Sequence, residues 1–119
     1  MRELTVVEAD RPAQCCSPIG GAGMSAEDAG TTAALLKALA DPSRIRIVNR
    51  LATTEGPVCV CDVTALLGLT QPTVSFHMKK LVSAGLLDRE QRGVWAFYSL
   101  NRDAAARLGD VLQLEGGTR

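Results

Sequence analysis

Histidine occurs once in this chain of 119 residues, and aromatic residues make up 3% of it. One histidine leaves no Ser/His/Asp set for nucleophilic hydrolysis, no Cys-x-x-Cys pair is present, and no cysteine is followed by a C-x5-R phosphate-cradling loop. An enzyme, whether an arsenate reductase or a thiol oxidoreductase, is therefore not expected. No run of eighteen apolar residues spans a bilayer, and no charged start leads into an apolar core with a small-residue cleavage site. The expectation is a cytoplasmic protein without membrane association. With so few rings to cover sheet faces, the core is expected to come from Leu, Val, Ile and Ala on helices, in one domain small enough to gain from a partner surface. Net formal charge is also missing, at zero. That balance hides a division: residues 1–30 carry Arg2 and Arg11 against Glu3, Glu8, Asp10, Glu27 and Asp28, so they sum to −3 and the remainder to +3.

What is present begins with four cysteines, grouped as Cys15-Cys16 and Cys59-x-Cys61. In a reducing compartment they are expected as thiols, and their grouping points to ligands. Cys59 and Cys61 stand just before a helix, whose positive end favours thiolate. An extended Val58–Cys61 would put side chains i and i+2 on one face, within reach of one ion. Soft thiolates select soft ions: arsenite, antimonite, Cd(II), Pb(II), Zn(II) or Cu(I).

The stretch VCVCDVTALLGLTQPTVSFHMKKLVSAGLL, from Val58 to Leu87, divides into two amphipathic helices. Val63, Leu66 and Leu67 fall on one helical face, Gly68 stops that helix, Thr70 offers a cap and Pro72 fits the next first turn. Val74, Met78, Leu81 and Val82 make the buried stripe of the second helix. Gln71, Thr73, Ser75, His77, Lys79 and Lys80 are left on outward faces, a composition that a DNA major groove accepts. The lysines would contact mostly phosphate.

Taken in order, residues 1–24 read as a flexible arm carrying Cys15 and Cys16, with at most a short extended piece at residues 4–7. Residues 25–115 read as the folded domain. Ser25 caps a first helix with an Ala34, Leu35, Ala38, Leu39 stripe. Asp41-Pro42 breaks it, and a second helix starting near Ser43 faces Ile45, Val48, Leu51 and Ala52 inward with Arg44, Arg46 and Arg50 outward, either solvated or on phosphate. After Gly85, two strands are expected around a Gln91-Arg92-Gly93 turn, with Arg89 and Arg92 able to reach the DNA backbone or minor groove. Asn101 caps a last helix to about residue 114. Amphipathic helices at both ends point to a face shared with a second copy, through Leu35, Leu39, Leu108, Val111 and Leu112. The expected fold is mostly α with a small β-hairpin, a homodimeric winged helix-turn-helix. A two-fold dimer would place its recognition helices about 34 Å apart, on an inverted repeat of double-stranded operator DNA.

The segments LADPSRIRIVNRLA, CVCD, LTQPTVSFHMKKLVSAGLL and RGVWAFYSL resemble the ArsR/SmtB family of metal-sensing winged-helix repressors, over about residues 36–100. The resemblance implies a repressor that holds its operator in the apo state and leaves it on binding an inducer. Its CVC motif is like that of the arsenic-sensing and cadmium/lead-sensing branches. The implied ligands are Cys15, Cys16, Cys59 and Cys61, in sites that join the arm of one subunit to the CVC segment of the other. Two departures are visible. Thr64 stands where a local arsenic triad would carry its third cysteine, and the arm cysteines are adjacent, where the four-thiolate form spaces them. The last helix offers Asp110 but no histidine, which disfavours a zinc-only sensor. Trivalent arsenic or antimony is the favoured inducer, because three sulfurs satisfy it. Cd(II), Pb(II) or Zn(II) on four thiolates, and a thiol-redox switch, are the alternatives.

Overall fold

A computed structural model describes residues 23–113. The arm cysteines Cys15 and Cys16, and the extended piece expected at residues 4–7, lie outside the described residues. Ser25 opens α1 (Ala26–Leu39), its hydroxyl accepting from the Asp28 N–H at 3.0 Å. Asp41, not Ser43, starts α2 (Pro42–Ala52). Its carboxylate accepts from the N–H groups of Ser43 and Arg44 at 2.9 and 3.1 Å, while Pro42 occupies the first turn, where no N–H is required. Then follow β1 (Val58–Cys59), α3 (Val60–Leu67), α4 (Gln71–Ala84), β2 (Leu87–Arg92), β3 (Trp95–Leu100) and α5 (Arg102–Val111).

Gly68 closes α3 at φ 70°, a left-handed conformation that costs glycine nothing and turns the chain into α4 within three residues. The Thr70 hydroxyl, expected on an orphan N–H of α4, instead donates to the Thr73 hydroxyl at 3.0 Å. α4 is the centre of the packing. Val74, Met78 and Leu81 are fully buried against Leu35 of α1, Ile47 and Leu51 of α2, Val63 of α3, and Leu86, Leu87, Tyr98 and Leu100 from the sheet side. Each such side chain contributes about 1.5–3 kcal/mol of apolar burial, so the direction of α4 is set by the core as a whole.

Three expectations are corrected here. On α2 the inward residues are Ile47, with no exposure, and Leu51, whereas Ile45 is 51% exposed. Counting from Asp41 as the cap shows why: Arg44, Ile47 and Leu51 share the face against α4, and Ile45, Val48 and Ala52 turn toward α5. The hairpin turn is Gly93-Val94, not Gln91-Arg92-Gly93. Arg92 pairs with Trp95, and Gly93 takes φ 63° at the first turn position, the pattern of a type II′ hairpin. Finally, the sheet has a third strand. β1 joins β3 antiparallel, Val58 opposite Tyr98 and Cys59 opposite Phe97, giving the order β1-β3-β2.

α5 starts at Asn101, whose side-chain oxygen accepts from the Ala104 N–H at 2.9 Å. It packs on α1, and an Arg107–Asp28 ion pair at 3.5 Å spans the two helices. Leu35 and Leu108, expected to be open to a second copy, are buried in the core of the single chain. Leu39 and Val111 remain half-buried and Leu112 is exposed; Leu39 and Leu112 line an apolar groove with Ile45, Val48 and Ala105. Among the described residues no helix is long and apolar enough to cross a membrane.

Candidate DNA interface and thiol site

The buried stripe of α4 fixes what its other faces present. Gln71, Thr73, Ser75, Lys79 and Lys80 are all exposed. Ser75, Lys79 and Ser83 lie on the flank toward the wing, where with Val82, Arg89 and Tyr98 they line a cleft of about 460 Å³. The fold therefore brings Ser75, Lys79 and Arg89 to one edge. Thr73 and Lys80 fall on the opposite flank.

His77 is placed differently. Its side chain is 12% exposed and turned toward α2, with Nδ1 accepting from Arg44 Nε at 3.1 Å and standing 3.9 Å from Asp41 Oδ2. The same guanidinium donates to the Ala38 carbonyl at 3.2 Å. His77 and Arg44, expected on outward faces, thus join the end of α1, the start of α2 and the middle of α4. The reason is the face of α2 described above, which turns Arg44 toward α4, where His77 Nδ1 offers an acceptor.

In the wing, Arg89 Nε donates to the Tyr98 hydroxyl at 3.3 Å, and its terminal nitrogen donates to Gln91 Oε1 at 2.7 Å, which orients the guanidinium. Arg92 ends β2. It donates to Glu90 Oε1 at 3.0 Å, and its guanidinium lies 4.9 Å from the Phe97 ring centre. The Arg92 hydrogen bond, and then its charge, hold the Glu90 carboxyl below the ordinary carboxylate range. Both groups are exposed, so water and salt screen the pair and leave the arginine available to a phosphate. The tip adds Val94 and Trp95, 86% and 59% exposed.

The thiol segment does not run extended through Cys61. Cys59 is the N-cap of α3, at φ −95° and ψ 166°, and Cys61 lies in the first helical turn. The two sulfurs nevertheless meet, as a disulfide with Cα atoms 5.4 Å apart. Free thiols were expected for this pair. The turn from strand to helix brings the two Cα atoms within the range a disulfide spans. Asp62, not anticipated, completes the cluster. Its carboxylate accepts from the Cys59 N–H at 3.4 Å and lies 3.5 Å from Cys59 Sγ, so Cys59, Cys61 and Asp62 present ligand atoms within 4.8 Å of one another. The C-x-x-D spacing, equivalent to a capping box, was the available signal. Cys59 is half-buried and Cys61 exposed, so the reduced pair would be open to a ligand from outside. The donor set suits a soft ion, with sulfur first and one hard oxygen beside it.

A helix-turn-helix with an exposed polar second helix, flanked by an arginine-bearing β-hairpin, is the architecture of a winged helix-turn-helix DNA-binding regulator. Residues 41–89 match the bacterial regulatory protein, arsR family. The arsenical resistance operon repressor of Bacillus subtilis (strain 168) is 43% identical over 65 residues, an alignment covering 55% of this chain and 61% of that protein. That of Staphylococcus aureus is 38% identical over 79 residues, covering 66% of this chain and 71% of that protein. The homodimeric winged helix-turn-helix DNA-binding domain from Mycobacterium bovis superposes with a TM-score of 0.61 at 27% identity, over 83% of this chain and 98% of that one. The chain belongs to the ArsR family of bacterial regulatory proteins.

Proposed function

We propose that this chain is a cytoplasmic homodimeric repressor that grips an inverted-repeat operator through α4 and the wing, and lets go when trivalent arsenic or antimony binds its thiols. The observation that carries the reading is the convergence of Cys59 and Cys61 at the head of α3, one short helix and a three-residue turn from α4. That the B. subtilis and S. aureus relatives are arsenical resistance operon repressors supports the choice of inducer. In this reading Gln71, Thr73, Ser75, Lys79 and Lys80 meet the groove and its phosphates, Arg89 and Arg92 meet the flanking backbone, and His77 acts from behind α4. Leu39, Val111 and Leu112 supply the dimer contact, over a layer in which Leu35 and Leu108 are already packed.

The mechanism follows from what the thiols are attached to. Cys59 is hydrogen-bonded into the sheet beside the wing strand, Cys61 stands in the first turn of α3, and α3 packs on α4. An ion drawing both sulfurs, together with a third from Cys15 or Cys16 of an arm, changes the start of α3 relative to β3 and with it the setting of α4 in the groove. A hundredfold loss of DNA affinity requires about 2.7 kcal/mol of preference by the ion for the free protein over the DNA-bound one. Cd(II), Pb(II) or Zn(II) could exploit the same sulfurs with a fourth thiolate.

One observation favours a second reading. Cys59 and Cys61 are joined in the structure, so the pair can form a disulfide, and oxidation alone could move the start of α3. One experiment separates these: protein bound to a labelled operator duplex, titrated with arsenite, Cd(II) or hydrogen peroxide. Release by arsenite that is lost in Cys59→Ser is the expected result. Release by peroxide without any ion would favour the redox reading, and no release by any of them would defeat both.

A further inference from the structure

Phe76 is the one aromatic side chain of α4 besides the latched His77. It is 53% exposed, on a helix whose other outward side chains, the first-turn Pro72 aside, are polar or basic. It follows the fully buried Val74 by two positions, which at about 3.6 residues per turn is roughly 200° around the helix, so its ring projects almost directly away from the core. Two cations flank it without covering it: the Lys80 ammonium lies 5.3 Å from the ring centre and the Arg44 guanidinium 5.9 Å. The ring also meets the His77 imidazole edge-on at 5.9 Å, and His77 is held by Arg44, which fixes the base of the side chain.

An apolar ring at the outermost point of a basic helix gains from burial wherever the polyanion that the helix meets offers an apolar partner. The edge of thymine in the major groove is such a partner, because its 5-methyl group is the one apolar feature that groove presents. We infer that Phe76 reads thymine 5-methyl groups, with Lys80 and Lys79 on the adjacent phosphates, and so sets part of the operator sequence. This rests on the DNA-binding reading above and adds to it a base and an atom. No hydrogen bond is required of Phe76, so its discrimination is by methyl contact alone, and a cytosine or a uracil at that position should be accepted only weakly.

The test uses a duplex enriched by the full-length protein from a randomised pool, remade with deoxyuridine replacing thymidine one position at a time. At one or two positions per half-site, loss of the methyl should weaken binding by wild-type protein about fourfold, the worth of one buried apolar carbon. Phe76→Ala should bind the unmodified duplex more weakly and be indifferent to those same substitutions. Phe76→Tyr, which keeps the ring, should retain the sensitivity and guards against a variant that merely misfolds. Wild-type binding that ignores every deoxyuridine, or a Phe76→Ala protein as sensitive as wild type, overturns the inference. If no duplex is enriched at all, the DNA-binding reading itself has failed, which is a different result.

Discussion

Arg44 offers the sharpest separation of two readings, because a phosphate contact and a latch to His77 respond differently to the same substitutions. The latch consists of one hydrogen bond to His77 Nδ1 at 3.1 Å and one to the Ala38 carbonyl at 3.2 Å, both partly buried. A hydrogen bond from a charged donor contributes about 1.5–3 kcal/mol, and the residual exposure of both side chains places this one at the low end. Arg44→Met and His77→Phe should therefore each destabilise the domain. In a double-mutant cycle they should be non-additive by about 1.5 kcal/mol, read as a shortfall of roughly 6–12 °C in the summed loss of melting temperature. Arg44→Lys decides the issue. It preserves a cation for a phosphate but cannot reproduce the two-way bond of the guanidinium, so the latch predicts loss of stability close to that of Arg44→Met. The salt dependence of DNA binding should keep its slope in all three proteins, since no phosphate contact has been removed. Additive effects within about 0.3 kcal/mol, or a slope that falls by about one unit in Arg44→Met and recovers in Arg44→Lys, would refute the latch and return Arg44 to the DNA backbone.

Further outcomes can be stated briefly. Gly68→Ala should cost about 1–2 kcal/mol, all of it conformational, because a Cβ there meets nothing within 4 Å; Gly68→Asn should cost less, and urea denaturation measures both. Arg92→Ala should change thermal stability only slightly but weaken DNA binding at low salt and reduce the salt slope by about one, as a screened wing cation should. Because Arg92 lowers the Glu90 pKa in the folded state, the contribution of that pair is present above the unfolded carboxylate pKa and fades as pH falls through the lowered value. An NMR titration should show Glu90 below the ordinary range in wild type and restored to it in Arg92→Ala. Leu112→Glu should shift the protein from dimer to monomer in sedimentation, whereas Leu108→Ala should first destabilise the fold.

The helix-turn-helix could be read from the chain because its signals are local. Gly68, Pro72 and the Val74, Met78, Leu81 spacing each act within one or two turns, and the structure keeps them all. Errors arose where a long-range partner chose between equal local options. Ile45 and Ile47 both fit a helical stripe, and the packing against α4 decided for Ile47. His77 sits at an angle open to either solvent or α2, and Arg44 settled it from 33 residues away. β1 is two residues long, too short for any periodicity, and is a strand only because β3 lies beside it. The convergence of Cys59 and Cys61 was foreseen on an extended backbone that the chain does not have. The N-cap geometry that does bring them together has its signal in Asp62, three residues after Cys59. Phe76 could have been found by the same helical count that located its buried neighbours.

The claim on which the account turns is that the inducer is held by the sulfurs at the head of α3. X-ray absorption at the arsenic edge, on protein loaded with one equivalent of arsenite under reducing conditions, tests it most directly. The expected result is a shell of three sulfurs in the wild type and a loss of sulfur neighbours in Cys59→Ser/Cys61→Ser. A shell of oxygens, or three sulfurs undiminished in the double variant, would contradict it.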